Sequence, residues 1–254
     1  TQDELFARYK NTGGSKAAFD YLMGKTPYSP VPVTPTGEIM KPYWEDDLVK
    51  LYLGDCRDVI PALGNVVIDH VITDPPYDTQ THNGARSAHP DNKLVIDFDP
   101  LNIESMVPVL VSIPQRWTIA FCAVEMLGEY RRISGTSWVR GGFWHRIDSA
   151  PQLSGDRPAQ PGEGIAIMHR SLDSGREGRT RWNGGGHQAF YETHIVRGRE
   201  RFHPTQKPDS LMSSLINDFT DPGELILDPF AGSGTTMVAC QRMGRAGTAI
   251  ERDP

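Results

Sequence analysis

Short apolar runs that stop at an acidic residue recur along this 254-residue chain. Leu51-Tyr52-Leu53 leads through Gly54 to Asp55, and His70-Val71-Ile72-Thr73 leads to Asp74. Leu225-Ile226-Leu227 leads to Asp228, and Thr248-Ala249-Ile250 leads to Glu251. Apolar runs this short, bounded by turn residues, read as strands buried on both faces. Helices are expected over Arg57–Leu63, Ile103–Ile113, Ser210–Phe219 and Thr235–Met243, with Pro108 arguing against a straight second one. Thr118–Val124 reads as a further buried strand. Trp138–His145 alternates around Gly141-Gly142 and reads as a weaker strand, with Gly164–Met168 its hairpin partner after a Pro/Gly-rich connection. This order predicts an α/β fold, a doubly wound and mostly parallel sheet with a late antiparallel hairpin.

The remaining stretches carry less pattern. Residues 1–47 read as an N-terminal arm, with helix-like segments at Asp3–Tyr9 and Ser15–Met23 followed by a proline-rich extended part. Residues 48–254 then form one domain. Two polar segments interrupt it, near 78–99 and 171–200; loops of that length in a compact domain are usually functional. The second shows little periodicity, many arginines and a Gly184-Gly185-Gly186 run.

Composition adds two constraints. Three scattered cysteines, Cys56, Cys122 and Cys240, have neither disulfide density nor metal-ligand spacing, which fits a reducing, cytoplasmic setting and no metal site. No apolar run approaches membrane-spanning length, and the first residues do not form a signal peptide. The formal charge of −6 speaks against nucleic acid, but its distribution does not. Between Arg131 and Arg201 twelve arginines face seven acids, a local +5, leaving −11 elsewhere. A basic field of this kind can hold phosphates on an acidic protein.

The strand-end acids carry the candidate chemistry, because ligands of open α/β sheets bind beyond the carboxyl ends of strands. Asp74-Pro75-Pro76-Tyr77 joins an acceptor for an amine, prolines that fix the backbone, and an aromatic face for a planar ring. Asp228-Pro229-Phe230-Ala231-Gly232-Ser233-Gly234-Thr235-Thr236 passes from strand to helix, where glycines admit close approach and the helix amino end favours an anionic group. It lacks the lysine of a phosphate-binding P-loop. Glu251 lies about twenty residues on, where a nucleotide-binding fold places an acid for ribose hydroxyls. In His203-Pro204-Thr205-Gln206-Lys207-Pro208 two prolines frame a turn, and Thr205 or Lys207 suits a carboxylate. Each acid is also a plausible helix cap or surface residue on its own.

Taken in this order, the strings resemble the beta group of DNA amino methyltransferases, over roughly residues 48–254. The Asp74–Tyr77 string comes first, the recognition region lies in the middle, and the cofactor loop sits near the C-terminus. The resemblance implies S-adenosylmethionine as cofactor, double-stranded DNA as partner, and transfer of a methyl group to an exocyclic amine, adenine N6 ahead of cytosine N4. An RNA methyltransferase or a non-catalytic DNA-binding subunit are the remaining readings. It implies catalytic roles for Asp74, Pro75, Pro76 and Tyr77, the last stacking on a flipped base. Phe230, Gly232, Ser233, Gly234 and Thr235, following Asp228, would surround the cofactor. Glu251 would take its ribose, Asp55 and Cys56 its adenine, and His203, Thr205 and Lys207 its methionine end, beside Asp74. Arg176, Arg179, Arg181, Arg197 and Arg199 would contact DNA. A homodimer and a restriction partner are compatible with such an enzyme, in a bacterial or phage setting. Three departures stand out: a short recognition stretch, an N-terminal 47 residues without counterpart, and a chain that stops just after the ribose acid. The ribose and adenine roles also require the strand ending at Glu251 to lie beside the one ending at Asp55. Ser15–Met23, or a second subunit, is expected to cover the face of that last strand.

Overall fold

The structure, a computed structural model, describes residues 40–76, 102–148, 158–170, 182–197 and 206–252. Among the described residues nine strands form one sheet: β1 (Trp44–Glu45), β2 (Val49–Leu53), β3 (His70–Thr73), β4 (Trp117–Cys122), β5 (Trp138–Arg146), β6 (Gly162–His169), β7 (Phe190–Thr193), β8 (Leu225–Asp228) and β9 (Ala246–Glu251). Their order is β1-β2-β9-β8-β3-β4-β6-β5-β7. The run from β2 to β4 is parallel, and β6 is antiparallel to both β4 and β5. The doubly wound sheet with its late hairpin is thus the observed fold. The strand ending at Glu251 does lie beside the one leading to Asp55, with Leu53 opposite Glu251.

Five helices flank the sheet among the described residues: α1 (Cys56–Ala62), α2 (Ile103–Ser112), α3 (Leu127–Ser134), α4 (Asp209–Phe219) and α5 (Thr235–Arg242). Side chains of successive strand residues point to opposite faces, so each buried strand feeds two cores. On one face Ile72, Ile119, Ile226 and Ala249 pack with Leu211, Leu215 and Phe219 of α4 and with Met237 and Ala239 of α5. On the other, Val71, Leu227 and Ile250 meet Val59 and Ile60 of α1, while Ala120, Ala166 and Met168 meet Val107 of α2 and Tyr130 of α3.

Helix α2 forms where it was expected, with Pro108 inside it. The structure departs from the sequence reading at three places. Helix α3 has no counterpart in the apolar pattern, because it buries only Tyr130 and shows charged residues elsewhere. Residues 190–193, in a stretch without visible periodicity, form edge strand β7, where Tyr191 alone is buried. Finally, β1 joins the sheet ahead of the boundary expected at residue 48. Ser15–Met23 lies outside the described residues.

The end of the sheet away from the candidate chemistry is tied by charge. The buried His70 ring meets Glu224 at 2.8 Å, and Arg116 pairs with Glu224 and with Asp221 at 3.6 Å. Nearby, His169 is buried edge-on against Trp117, with ring centroids 4.5 Å apart. Burial, then the positive charges of Arg116 and His70, pull the His169 pKa from 6.5 down to about 4. The unfolded chain therefore binds the proton first as pH falls. The stabilisation is complete above about pH 6.5 and is lost on the way down to about pH 4. His169→Phe, which keeps an aromatic ring against Trp117, should remove roughly 2 kcal/mol of the stability difference between about pH 7 and pH 5. Urea unfolding of both proteins at the two pH values checks this; equal pH dependence would place the titration elsewhere.

Candidate active site

Asp74 follows β3 directly, with Pro75 and Pro76 behind it. Its carboxylate pairs with the Lys207 ammonium, which also lies 3.1 Å from Glu163 of β6. Lys207 is only 8% exposed although it carries a charge. Its ammonium stands over the rings of Phe121 at 4.8 Å and Trp144 at 5.8 Å, both cation–π distances. Burial alone would lower the pKa of Lys207, but Asp74 and Glu163 outweigh it and hold the pKa above the ordinary lysine value. The expected partner of Lys207 was a cofactor carboxylate; its partners in the structure are two carboxylates of the protein.

Asp228, at the end of neighbouring β8, is fully enclosed. It accepts hydrogen bonds from Thr73 Oγ1 at 2.8 Å, Thr236 Oγ1 at 2.6 Å and the Phe230 N–H at 3.2 Å. Burial pushes its carboxyl up to about 6 against these bonds. Asp228 thus clamps the end of β3 to the start of α5 and shapes the turn between β8 and α5 from within. It does not present a free carboxylate to the crevice.

That turn carries the glycines. Gly232 and Gly234 adopt positive φ, +51° and +73°, which L side chains rarely take. Gly234 is the N-cap of α5 and offers no side-chain cap, so the first amides of the helix remain available to an anion. A Cβ built on Gly234 meets open space. The Gly232 N–H donates to Glu251 Oε2 at 2.6 Å, and the Ser233 and Thr235 hydroxyls lie 2.8 Å apart. Phe230 is half-buried in the same turn.

Asp55 ends up as a cap. It accepts from the Arg57 N–H at 2.9 Å at the start of α1 and pairs with the Arg57 guanidinium. Burial raises its pKa, but the bonds and charge of Arg57 outweigh that and hold it below the usual carboxylate value. Cys56 begins α1, and burial pushes its thiol up to about 12. The structure thus gathers Asp55, Asp74, turn 229–234 and Glu251 along one edge of the sheet, the carboxyl ends of β2, β3, β8 and β9. Tyr77, His203, Thr205, Arg176, Arg179, Arg181 and Arg199 lie outside the described residues. Arg197 is exposed and lies 3.4 Å from Asp148. Other arginines of the basic span serve local contacts: Arg132 pairs with Glu104 and Glu129, and Arg146 lies 3.7 Å from Glu163. Glu163 carried no sequence signal; only the antiparallel return of β6 brings it to this edge.

Comparison with known proteins agrees with this fold. Residues 136–254 match the family model described as DNA methylase, that of the N6/N4 methylases. The Type II methyltransferase M.HinfI of Haemophilus influenzae is 23% identical over 252 residues, covering 85% of this chain and 68% of that protein. The Type II methyltransferase M2.DpnII of Streptococcus pneumoniae is 25% identical over 254 residues, covering 84% and 88%. Among solved structures, M1.HpyAVI in complex with SAM shares the fold at a TM-score of 0.60 and 20% identity, over 82% of this chain and 95% of that one. The cytosine-N4-specific PvuII DNA methyltransferase does so at 0.60 and 17%, over 84% and 85%. The match over 136–254, with Asp74-Pro75-Pro76 ending the strand beside the glycine turn, makes this chain similar to the N6/N4 DNA methylases.

Proposed function

We propose that the protein transfers a methyl group from S-adenosylmethionine to adenine N6 at specific sites in double-stranded DNA. One observation carries this reading: Asp74-Pro75-Pro76 closes β3 immediately beside β8, whose end opens the glycine turn. An amine acceptor and a cofactor cradle therefore share one crevice.

The residues present suit the cofactor. The uncapped amides at the start of α5 suit its carboxylate, and the Glu251 carboxylate suits its ribose hydroxyls. Open space above Gly234 leaves room for it. Since Arg57 and the cap occupy the Asp55 carboxylate, the adenine contact falls to the backbone of Asp55 and Cys56. Phe230, Ser233 and Thr235 flank the methionine part, with His203 and Thr205 assigned to its far end. When bound, the cofactor supplies a methyl group on a positively charged sulfur that leaves as a neutral thioether.

Asp74 accepts a hydrogen bond from one N–H of the target amine, and the Pro75 carbonyl accepts the other. This fixes the nitrogen lone pair in one direction, and orientation of that kind supplies most of the rate. As the nitrogen takes up the methyl it becomes cationic, and the Asp74 carboxylate stabilises that charge until the extra proton leaves. No covalent enzyme adduct is required. Burial pushes the thiols of Cys56, Cys122 and Cys240 up to about 12, so none is a thiolate near neutral pH. Asp rather than Ser at position 74 favours adenine over cytosine.

Tyr77 completes the site as the stacking face for the flipped base. Tyr77→Ala should weaken transfer by the worth of a base–aromatic stack, roughly 1–3 kcal/mol, while Tyr77→Trp should retain most activity. Steady-state rates on one oligonucleotide decide it; equal losses would make the ring a packing element. We assign Arg176, Arg179, Arg181, Arg197 and Arg199 to phosphate contacts, and the chain from β1 onwards to the catalytic domain. The reading as a whole is tested by transfer of labelled methyl into duplex DNA against RNA of the same sequence. Label in DNA supports it, and label in RNA alone overturns it.

A further inference from the structure

We propose that Lys207 and Glu163 are positioning residues that set the charge and aim of Asp74 for methyl transfer. This rests on the reading that Asp74 holds the target amine. Four elements converge on the Lys207 ammonium: Asp74 after β3, Phe121 of β4, Trp144 of β5 and Glu163 of β6. Glu163 and Trp144 are direct partners across the hairpin. Trp144 is itself fixed by a 2.8 Å hydrogen bond from its Nε1 to Thr193 Oγ1 on β7. Pro208, the N-cap of α4, follows Lys207 and fixes the backbone there. The ammonium is thus held from its own chain and by the hairpin, not free to swing as a surface lysine would.

The Lys207 ammonium is shared between two carboxylates. Lys207 carries three donors, and a carboxylate has about four lone-pair sites, so the pairing leaves Asp74 acceptor capacity for an amine. The ring faces of Phe121 and Trp144 shield the ammonium from water, where a Lys–Asp interaction would be weak. An unpartnered carboxylate at this place would sit close to the buried Asp228, and like charges raise carboxyl pKa values. Lys207 therefore keeps Asp74 ionised, in its acceptor form. Glu163 draws part of the ammonium away, so that Asp74 remains basic enough to hold a nitrogen that is becoming cationic.

Among the described residues, several further groups face this cluster. Asp228, Cys122 and Tyr130 interact with Asp74, and Arg146 and Cys122 with Glu163. Cys122 and Tyr130 stay neutral, since burial pushes the thiol up to about 12 and the phenol well above its usual value. The titration that matters to transfer is then that of Asp74 under the opposing pull of Lys207 and Glu163.

Two variants make the proposal testable, because they act in opposite directions. Lys207→Met removes the cation, and the acid limb of the kcat–pH profile should move up by about one unit or more. Glu163→Gln gives the whole ammonium to Asp74, and the same limb should move down while kcat falls about tenfold. In both, KM for DNA and equilibrium cofactor affinity should stay within a few-fold of the wild-type protein. Glu163→Gln keeps shape and hydrogen bonding, so it answers the question should Lys207→Met fold poorly. An acid limb that does not move with Glu163→Gln overturns the proposal, as does loss of cofactor affinity as the main effect of Lys207→Met. If instead Asp74→Ala turns over normally, the function reading itself fails and not merely this refinement.

Discussion

Asp74→Ala should abolish methyl transfer while cofactor binding survives. The carboxylate is the proposed acceptor that orients the amine, and removing a preorganised polar group of this kind costs about a hundredfold or more in rate. The fold should tolerate the change, because Lys207 keeps Glu163 at 3.1 Å and is not left as a buried, unpaired charge. The proposed cofactor cradle is turn 229–234 with Glu251, on the other side of Asp228. Single-turnover transfer and equilibrium cofactor binding on the same preparation separate the two effects. Near-normal turnover contradicts the role assigned to Asp74, and a parallel loss of cofactor binding would move that residue to the cofactor.

The largest effect on stability is expected from a single methyl group. A Cβ added at Gly162, the first residue of β6, falls 1.9 Å from the Trp144 carbonyl oxygen and 2.7 Å from the Phe143 ring. Neither the strand backbone nor the adjoining ring can give that much without parting β5 from β6. Overpacking of this sort costs about 1–3 kcal/mol, and here the upper end applies because backbone is struck. Gly162→Ala should then lower Tm by roughly 6–12 °C at the sensitivity of a domain of this size. Transfer should fall as well, since Glu163 is the next residue. Calorimetry alongside activity checks this, and an unchanged Tm would mean that the hairpin is looser than its close contacts show.

The central parallel strands β3, β8 and β9 could be read from the chain because both faces of each are buried, so Ile72, Ile226 and Ile250 stand in short apolar runs. Their terminal acids marked the functional edge for the same reason. The pairing of the last strand with the second followed from chemistry, since ribose and adenine belong to one cofactor. Elements held by one buried residue escaped: Tyr130 alone anchors α3, and Tyr191 alone anchors β7. Roles that depend on three-dimensional neighbours escaped too. Asp228 looks like a ligand-facing acid until Thr73 and Thr236 are seen to occupy both its oxygens. Glu163 looks like a solvated strand residue until Lys207, far along the chain, arrives beside it.

The proposed reaction is methylation of the exocyclic amine of adenine in DNA. It is tested by enzymatic digestion of duplex DNA after incubation with the purified protein and S-adenosylmethionine, followed by mass analysis of the nucleosides. N6-methyldeoxyadenosine is the expected product, absent when Asp74→Ala replaces the wild-type protein. Methyl groups found instead on cytosine, or on no base, would contradict it.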